Sequence, residues 1–213
     1  MTGALVGTDR HTGLPFNVSG STAGTTGRIS EAGSGYATGG FVAALYLIGR
    51  SEGNAHLRET GLLAGEALID TGILAQGLKV ITQRPRPTTD DHSGEFYDKG
   101  SSFPSGHAIS AWSVATVVAY EYGDDKPWVK FLAYGTAATV SIACYTSGNH
   151  YLSDVFVGSA LGYGVGRFVY KRRHNRNLDK AGNGITGLRL IPDFEPIYNS
   201  QARLYGAHFS WSM

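Results

Sequence analysis

Three long stretches of this chain, residues 32–49, 100–120 and 131–149, contain no Asp, Glu, Lys or Arg. Their lengths approach the roughly 20 residues that a membrane span requires. They are diluted by Gly, Ser, Thr, Asn and His, and the mean hydropathy of the whole chain is −0.13. Glu66 and Asp70 also interrupt the stretch from Gly61 to Leu78. A soluble or interfacial helical domain fits this pattern better than a multi-span one.

Punctuation residues divide the chain into helices. Ala37 to Arg50 reads as an apolar helix closed by Ser51-Glu52-Gly53. Asn54 can cap a second, long helix with Leu57, Gly61, Ala64, Leu68 and Gly72 at three- and four-residue spacing, ending near Gln83 before Pro85 and Pro87. A third starts around Ser105 and runs towards Tyr122. Pro127 suits the first turn of a fourth over about 128–145. A fifth spans Asn149 to Tyr170, with Gly158, Gly162 and Gly166 on one face, a stripe that lets a neighbouring helix approach closely. The basic run Lys171-Arg172-Arg173-His174 matches a helix C-terminus.

The expected fold is therefore an all-α helical bundle of about five to six helices over residues 36–174. Residues 1–35, rich in Gly, Thr and Ser, read as a flexible lead-in. Residues 175–213 read as a polar tail with a short strand at 203–212, where residues alternate around Tyr205, Phe209 and Trp211. At 213 residues the chain can bury roughly 70% of its unfolded surface. With 18 basic against 17 acidic residues and no aromatic-interleaved basic stripe, nucleic acid is not an expected partner. The single cysteine, Cys144, excludes an internal disulfide and a cysteine-cluster metal site.

Three polar clusters carry the chemistry. Lys79 and Arg86-Pro87 bracket the end of the second helix, and flanking prolines stiffen the backbone that aims Arg86. In Pro104-Ser105-Gly106-His107, a hydroxyl and first-turn amides at a helix N-terminus make an anion site with an imidazole one residue on. His150 and Asp154 are four apart; on a helix the carboxylate could accept from Nδ1–H and leave Nε2 as a nucleophile. Each cluster also has an ordinary structural reading, as a dipole-complementing cation, a helix cap or a surface pair. Together they supply what holding a tetrahedral oxyanion and breaking one of its ester bonds requires.

In order and spacing these motifs resemble the type-2 phosphatidic acid phosphatase superfamily of lipid phosphatases, bacterial non-specific acid phosphatases and vanadate-dependent haloperoxidases. The resemblance covers roughly residues 37–172. It implies His150 as a nucleophile forming a phosphohistidine, Asp154 orienting it, and His107 protonating the leaving alcohol and later activating water. It implies Lys79, Arg86, Ser105 and the Gly106 amide as phosphate ligands, with no metal and no cofactor, and vanadate as an inhibitor or alternative cofactor. The implied substrate is a phosphorylated small molecule or lipid, with membrane association and a cell-envelope location expected by analogy. One departure stands out: the family's third motif opens with Ser-Arg, and these positions are Ala143 and Cys144 here. The rival readings are therefore a haloperoxidase and a catalytically impaired phosphate-binding homologue. The loop 88–103, with Asp90, Asp91, His92, Glu95 and Asp98, is expected to rim the pocket with negative charge.

Overall fold

The computed structural model of the chain describes residues 9, 20–88, 94–175, 193–199 and 204–210. It falls into two compact units, residues 1–174 and 175–213. Among the described residues the first holds six α-helices, α1 (Gly20–Ser30), α2 (Gly35–Ser51), α3 (Ala55–Thr82), α4 (Gly106–Tyr122), α5 (Pro127–Thr146) and α6 (Leu152–Arg173), with a short 3₁₀ turn at Glu31–Gly33. In the second, β1 (Asp193–Asn199) pairs antiparallel with β2 (Leu204–Ser210), and Phe194 lies opposite Phe209.

Local chemistry fixes most helix starts. The Asn54 side chain accepts from Leu57 N at 2.9 Å to cap α3, and Pro127 occupies the first turn of α5. Gln83, in the left-handed region at φ 44°, ends α3. Residues 20–33, placed by sequence in the flexible lead-in, are instead helical, and α1 packs against α5. The sixth helix starts at Leu152, three residues later than expected, because Tyr151 is its N-cap. His150 therefore lies outside the helix.

The α4–α6 pair is the spine of the bundle. A Cβ on Gly158, Gly162 or Gly166 would come within 2.8 Å of Ser105 O, 2.3 Å of Ile109 O and 2.6 Å of Ser113 O respectively. The glycine stripe thus lies directly on the α4 backbone, in a constant register. Small buried side chains, including Ala108, Ala111, Ala137, Val140 and Cys144, fill the adjoining core. No helix among the described residues is long and apolar enough to cross a membrane. Large apolar side chains nevertheless face outward, such as Ile69 and Ile73 on α3, Phe131 on α5 and Phe168 on α6.

Candidate active site

The three motifs converge at one end of the bundle, where α4 and α6 begin and α3 ends. Ser105 is the N-cap of α4: its hydroxyl accepts from Ala108 N at 3.5 Å, and its amide donates to Asp154 O at 3.0 Å. Lys79 Nζ lies 3.7 Å from where a Cβ on Gly106 would sit, directly over the first turn of α4. Burial holds the Lys79 ammonium below its ordinary pKa, and the Arg86 charge pushes it the same way. His107 is half-buried. Burial lowers its pKa, the Glu31 carboxylate opposes this, and the charges of His150, Lys79 and Arg86 lower it further. These groups are close enough to act on one another.

His150 is buried, and its Nδ1 lies 2.9 Å from Ser102 O. A carbonyl can only accept, so Nδ1 carries the proton and the Nε2 lone pair is free of it. Asp154 Oδ2 stands 3.8 Å from Nδ1, within ion-pair reach, while Ser102 O makes the shorter contact. Asp154 accepts from Ser102 Oγ at 2.5 Å and from Tyr151 N at 3.0 Å, closing the capping box of α6. Burial alone would raise the Asp154 pKa. The nearby His150 imidazole, the charge of Arg84 and the hydrogen bond from Ser102 outweigh it and hold the carboxyl below its ordinary value.

Arg84 is the main residue whose role the sequence did not disclose. It does not extend towards Lys79 but is fully buried behind Asp154. Its Nη1 donates to Asp154 Oδ1 at 2.6 Å and to Ser153 Oγ at 2.7 Å, its Nη2 to Asp9 Oδ2 at 2.8 Å, and its Nε to Gly94 O at 3.1 Å. The guanidinium also lies 4.1 Å from the Tyr151 ring centroid and 4.8 Å from that of Phe96. Ser102 is a second such residue. It is delivered by a loop that folds back on α3 through Tyr97 N to Thr82 O and Ser102 N to Arg84 O, both 2.8 Å. Gly100 allows this approach, because a Cβ there would sit 2.1 Å from Arg84 O.

Two further residues modify the entrance. Glu31 Oε1 is 3.9 Å from His107 Nε2, on the 3₁₀ turn whose Gly33 abuts the His107 carbonyl. Lys99 shares with Lys79, Gln76 and Gln83 a shallow recess of about 380 Å³. Part of the rim is thus basic where the loop was expected to be acidic; Asp90, Asp91 and His92 lie outside the described residues. Cys144, where the family resemblance led to the expectation of an arginine, is buried beside Ser105. Burial pushes its thiol up to about 11, against a hydrogen bond from the Ser105 hydroxyl, so it stays a neutral thiol at pH 7. The Glu31–His107 proximity has a measurable sign. Glu31→Gln should lower the His107 pKa further, as followed by NMR titration of the imidazole. An unmoved titration would mean that the carboxylate does not act on the ring.

A helical bundle with two imidazoles, two cations and a helix N-terminus around one cleft defines a candidate phosphoryl-handling protein. Residues 60–178 match the model of the PAP2 superfamily, and the chain belongs to that family. A curated relative, a lipid A 1-phosphatase of Porphyromonas gingivalis, is 37% identical over 70 residues, which are 33% of this chain and 16% of the relative. The chain thus matches only a small part of that relative's length. The crystal structure of Aquifex aeolicus LpxE is similar with a TM-score of 0.58 at 22% identity, covering 73% of this chain and 88% of that one. That of the first transmembrane PAP2 type phosphatidylglycerolphosphate phosphatase from Bacillus subtilis gives 0.59 at 23%, covering 82% and 87%. Both share the fold.

Proposed function

We propose that this protein hydrolyses the phosphate monoester of a lipid through a phosphohistidine intermediate, at a membrane surface of the cell envelope. The observation that carries the mechanism is the tautomer of His150, whose Nδ1–H is tied to Ser102 O. Nε2 attacks phosphorus as the P–O bond to the alcohol breaks, and His107 in its protonated form gives its proton to the leaving oxygen. The buried Asp154 carboxylate stabilises the imidazolium character that develops on His150. His107, now neutral, takes a proton from water, which attacks the phosphohistidine and releases phosphate. Lys79, Arg86 and the first-turn amides of α4 hold the phosphoryl oxygens, since this chemistry depends mainly on positioning and charge.

Two features favour a lipid among phosphate esters. An apolar groove of about 420 Å³ runs between α2, α4 and α5, lined by Phe41, Val114, Val118 and Leu132 among others. Its lining includes Ala32, next to Glu31, and Ala111, one helical turn beyond His107, so one end of the groove lies on the side of the bundle that carries His107. The exposed apolar side chains on α3, α5 and α6 suit contact with a lipid surface.

Phosphate release from phosphatidic acid in mixed micelles, set beside a soluble aryl phosphate, tests this reading, with Cys144→Arg run in parallel. The parent should turn over the micellar lipid faster than the aryl phosphate. An arginine at 144 starts beside Ser105 and can reach the α4 N-terminus. It should raise the rate by one to several decades, since a charge-assisted contact in a desolvated site is worth ~2–5 kcal/mol. A silent parent with an active Cys144→Arg would favour the impaired-homologue reading, which rests on the neutral Cys144 thiol. Silence in both would overturn the assignment.

A further inference from the structure

At the opposite end of the bundle, α3, α4 and α6 bring together Glu59, Glu121 and His174. One donor atom from each lies within 4.8 Å of the others. Twenty residues separate Glu59 from Lys79 along α3, and twenty separate Asp154 from His174, so the cluster is roughly 30 Å from the candidate active site. It is independent of the reading proposed for that site.

The donor spacing of the cluster matches that of ligands around one ion. His174 Nδ1 is 3.3 Å from Glu121 Oε2 and 3.5 Å from Glu59 Oε1. Donors at ~2.0–2.1 Å around a tetrahedral ion stand about 3.3 Å apart. Glu121 supplies an independent sign. It is 6% exposed with its side chain fully buried, yet neither carboxylate oxygen accepts a hydrogen bond of ordinary geometry among the described residues. Buried carboxylates are normally well hydrogen-bonded, and two of them this close call for a countercharge. The nearby Arg173 guanidinium is turned to Glu66 at 3.1 Å.

The surroundings fix the ligands in place. The His174 ring stacks on Tyr170 at 4.5 Å and 17°, and its backbone N–H caps α6 on Tyr170 O at 2.9 Å. His56 Nε2 approaches Glu121 Oε1 at 2.7 Å, its ring 4.7 Å from that of Tyr122, and its side chain is 33% exposed. It stands between the buried cluster and solvent.

We propose that Glu59, Glu121 and His174 bind one divalent transition cation, with Zn²⁺ the best fit, and that His56 supplies the fourth ligand or orients Glu121 at the entrance. Imidazole with carboxylates suits zinc, whereas Mg²⁺ prefers oxygen and retained water. The ion would add a clamp across three helices already joined at this end by the Arg173–Glu66 pair and by Thr60 on the Tyr122 hydroxyl.

The test uses the full chain, stripped with a chelator and titrated calorimetrically with ZnCl₂. Expected are about one equivalent bound at this site and a higher Tm, both absent with MgCl₂. Glu121→Gln and His174→Gln should each weaken that equivalent by more than about tenfold. Because His107 and His150 can also take zinc, substoichiometric Co²⁺ is added to the unmutated chain and histidine imidazole signals are followed by NMR. Selective broadening of His174 and His56 supports the site even if a variant fails to fold. No uptake, wild-type affinity in both folded variants, or broadening confined to His107 and His150 would overturn it.

Discussion

His150→Ala should remove turnover on phosphatidic acid by on the order of 10⁴-fold or more, the scale on which losing a covalent nucleophile is felt. The imidazole is buried and held by Ser102 O, so no neighbouring side chain can take its place by a small movement. The fold should survive, because truncation removes one hydrogen bond at the edge of α6 and leaves the Asp154 capping box intact. The measurement is phosphate release at saturating lipid, with circular dichroism to confirm helix content. Trapping adds a direct readout: parent quenched in alkali should carry an alkali-stable, acid-labile phosphoryl group that His150→Ala lacks. Equal turnover by the variant would sink both the nucleophile and the covalent intermediate.

Arg84→Ala should have the largest effect on stability. It leaves Asp9 and Asp154 buried with their shared countercharge gone, and opens a void between Tyr151 and Phe96. Breaking a buried ion pair from one side costs about 3–5 kcal/mol. For a chain of this size that lowers Tm by roughly 10 °C. Arg84→Lys should rescue little, since an ammonium cannot serve two carboxylates and a hydroxyl from between two rings. The pH dependence carries a sign. The Asp154 pKa is depressed in the folded state, so its contribution is fully present above its ordinary value of 3.8 and is lost as pH falls through the folded value. Without Arg84 that loss should begin at higher pH. Tm measured from pH 7 to pH 3 tests this; parallel curves for parent and variant would contradict it.

How legible these features were depends on how local their causes are. Asn54, Ser105 and Pro127 act within one helical turn, and the helices they start lie where the sequence places them. The glycine stripe was legible as a packing face because a four-residue spacing needs no knowledge of the partner. The eleven residues of α1 were not legible, since Gly, Thr and Ser without a period give no helical signal and the helix packs against the distant α5. Nor was Arg84, whose partners are 10, 69, 70 and 75 residues away. The roles of Ser102 and Glu31 and the meeting of Glu59, Glu121 and His174 are likewise products of the tertiary fold. His150 and Asp154 were found by spacing and stand 3.8 Å apart, but the nearer partner of the ring, Ser102 O, lies 48 residues away and left no local signal.

The register of the glycine stripe also fixes a direction. Gly158, Gly162 and Gly166 meet Ser105, Ile109 and Ser113 in ascending order on both helices, so α4 and α6 run parallel and begin at the same end of the bundle. Each helix start behaves as roughly half a positive charge, but at α6 it is met by buried carboxylates, with Tyr151 N donating to Asp154 and Ser153 N to Asp9. The start of α4 is the one that keeps its backbone charge for an anion, beside the buried Cys144. No substitution of a side chain can remove it.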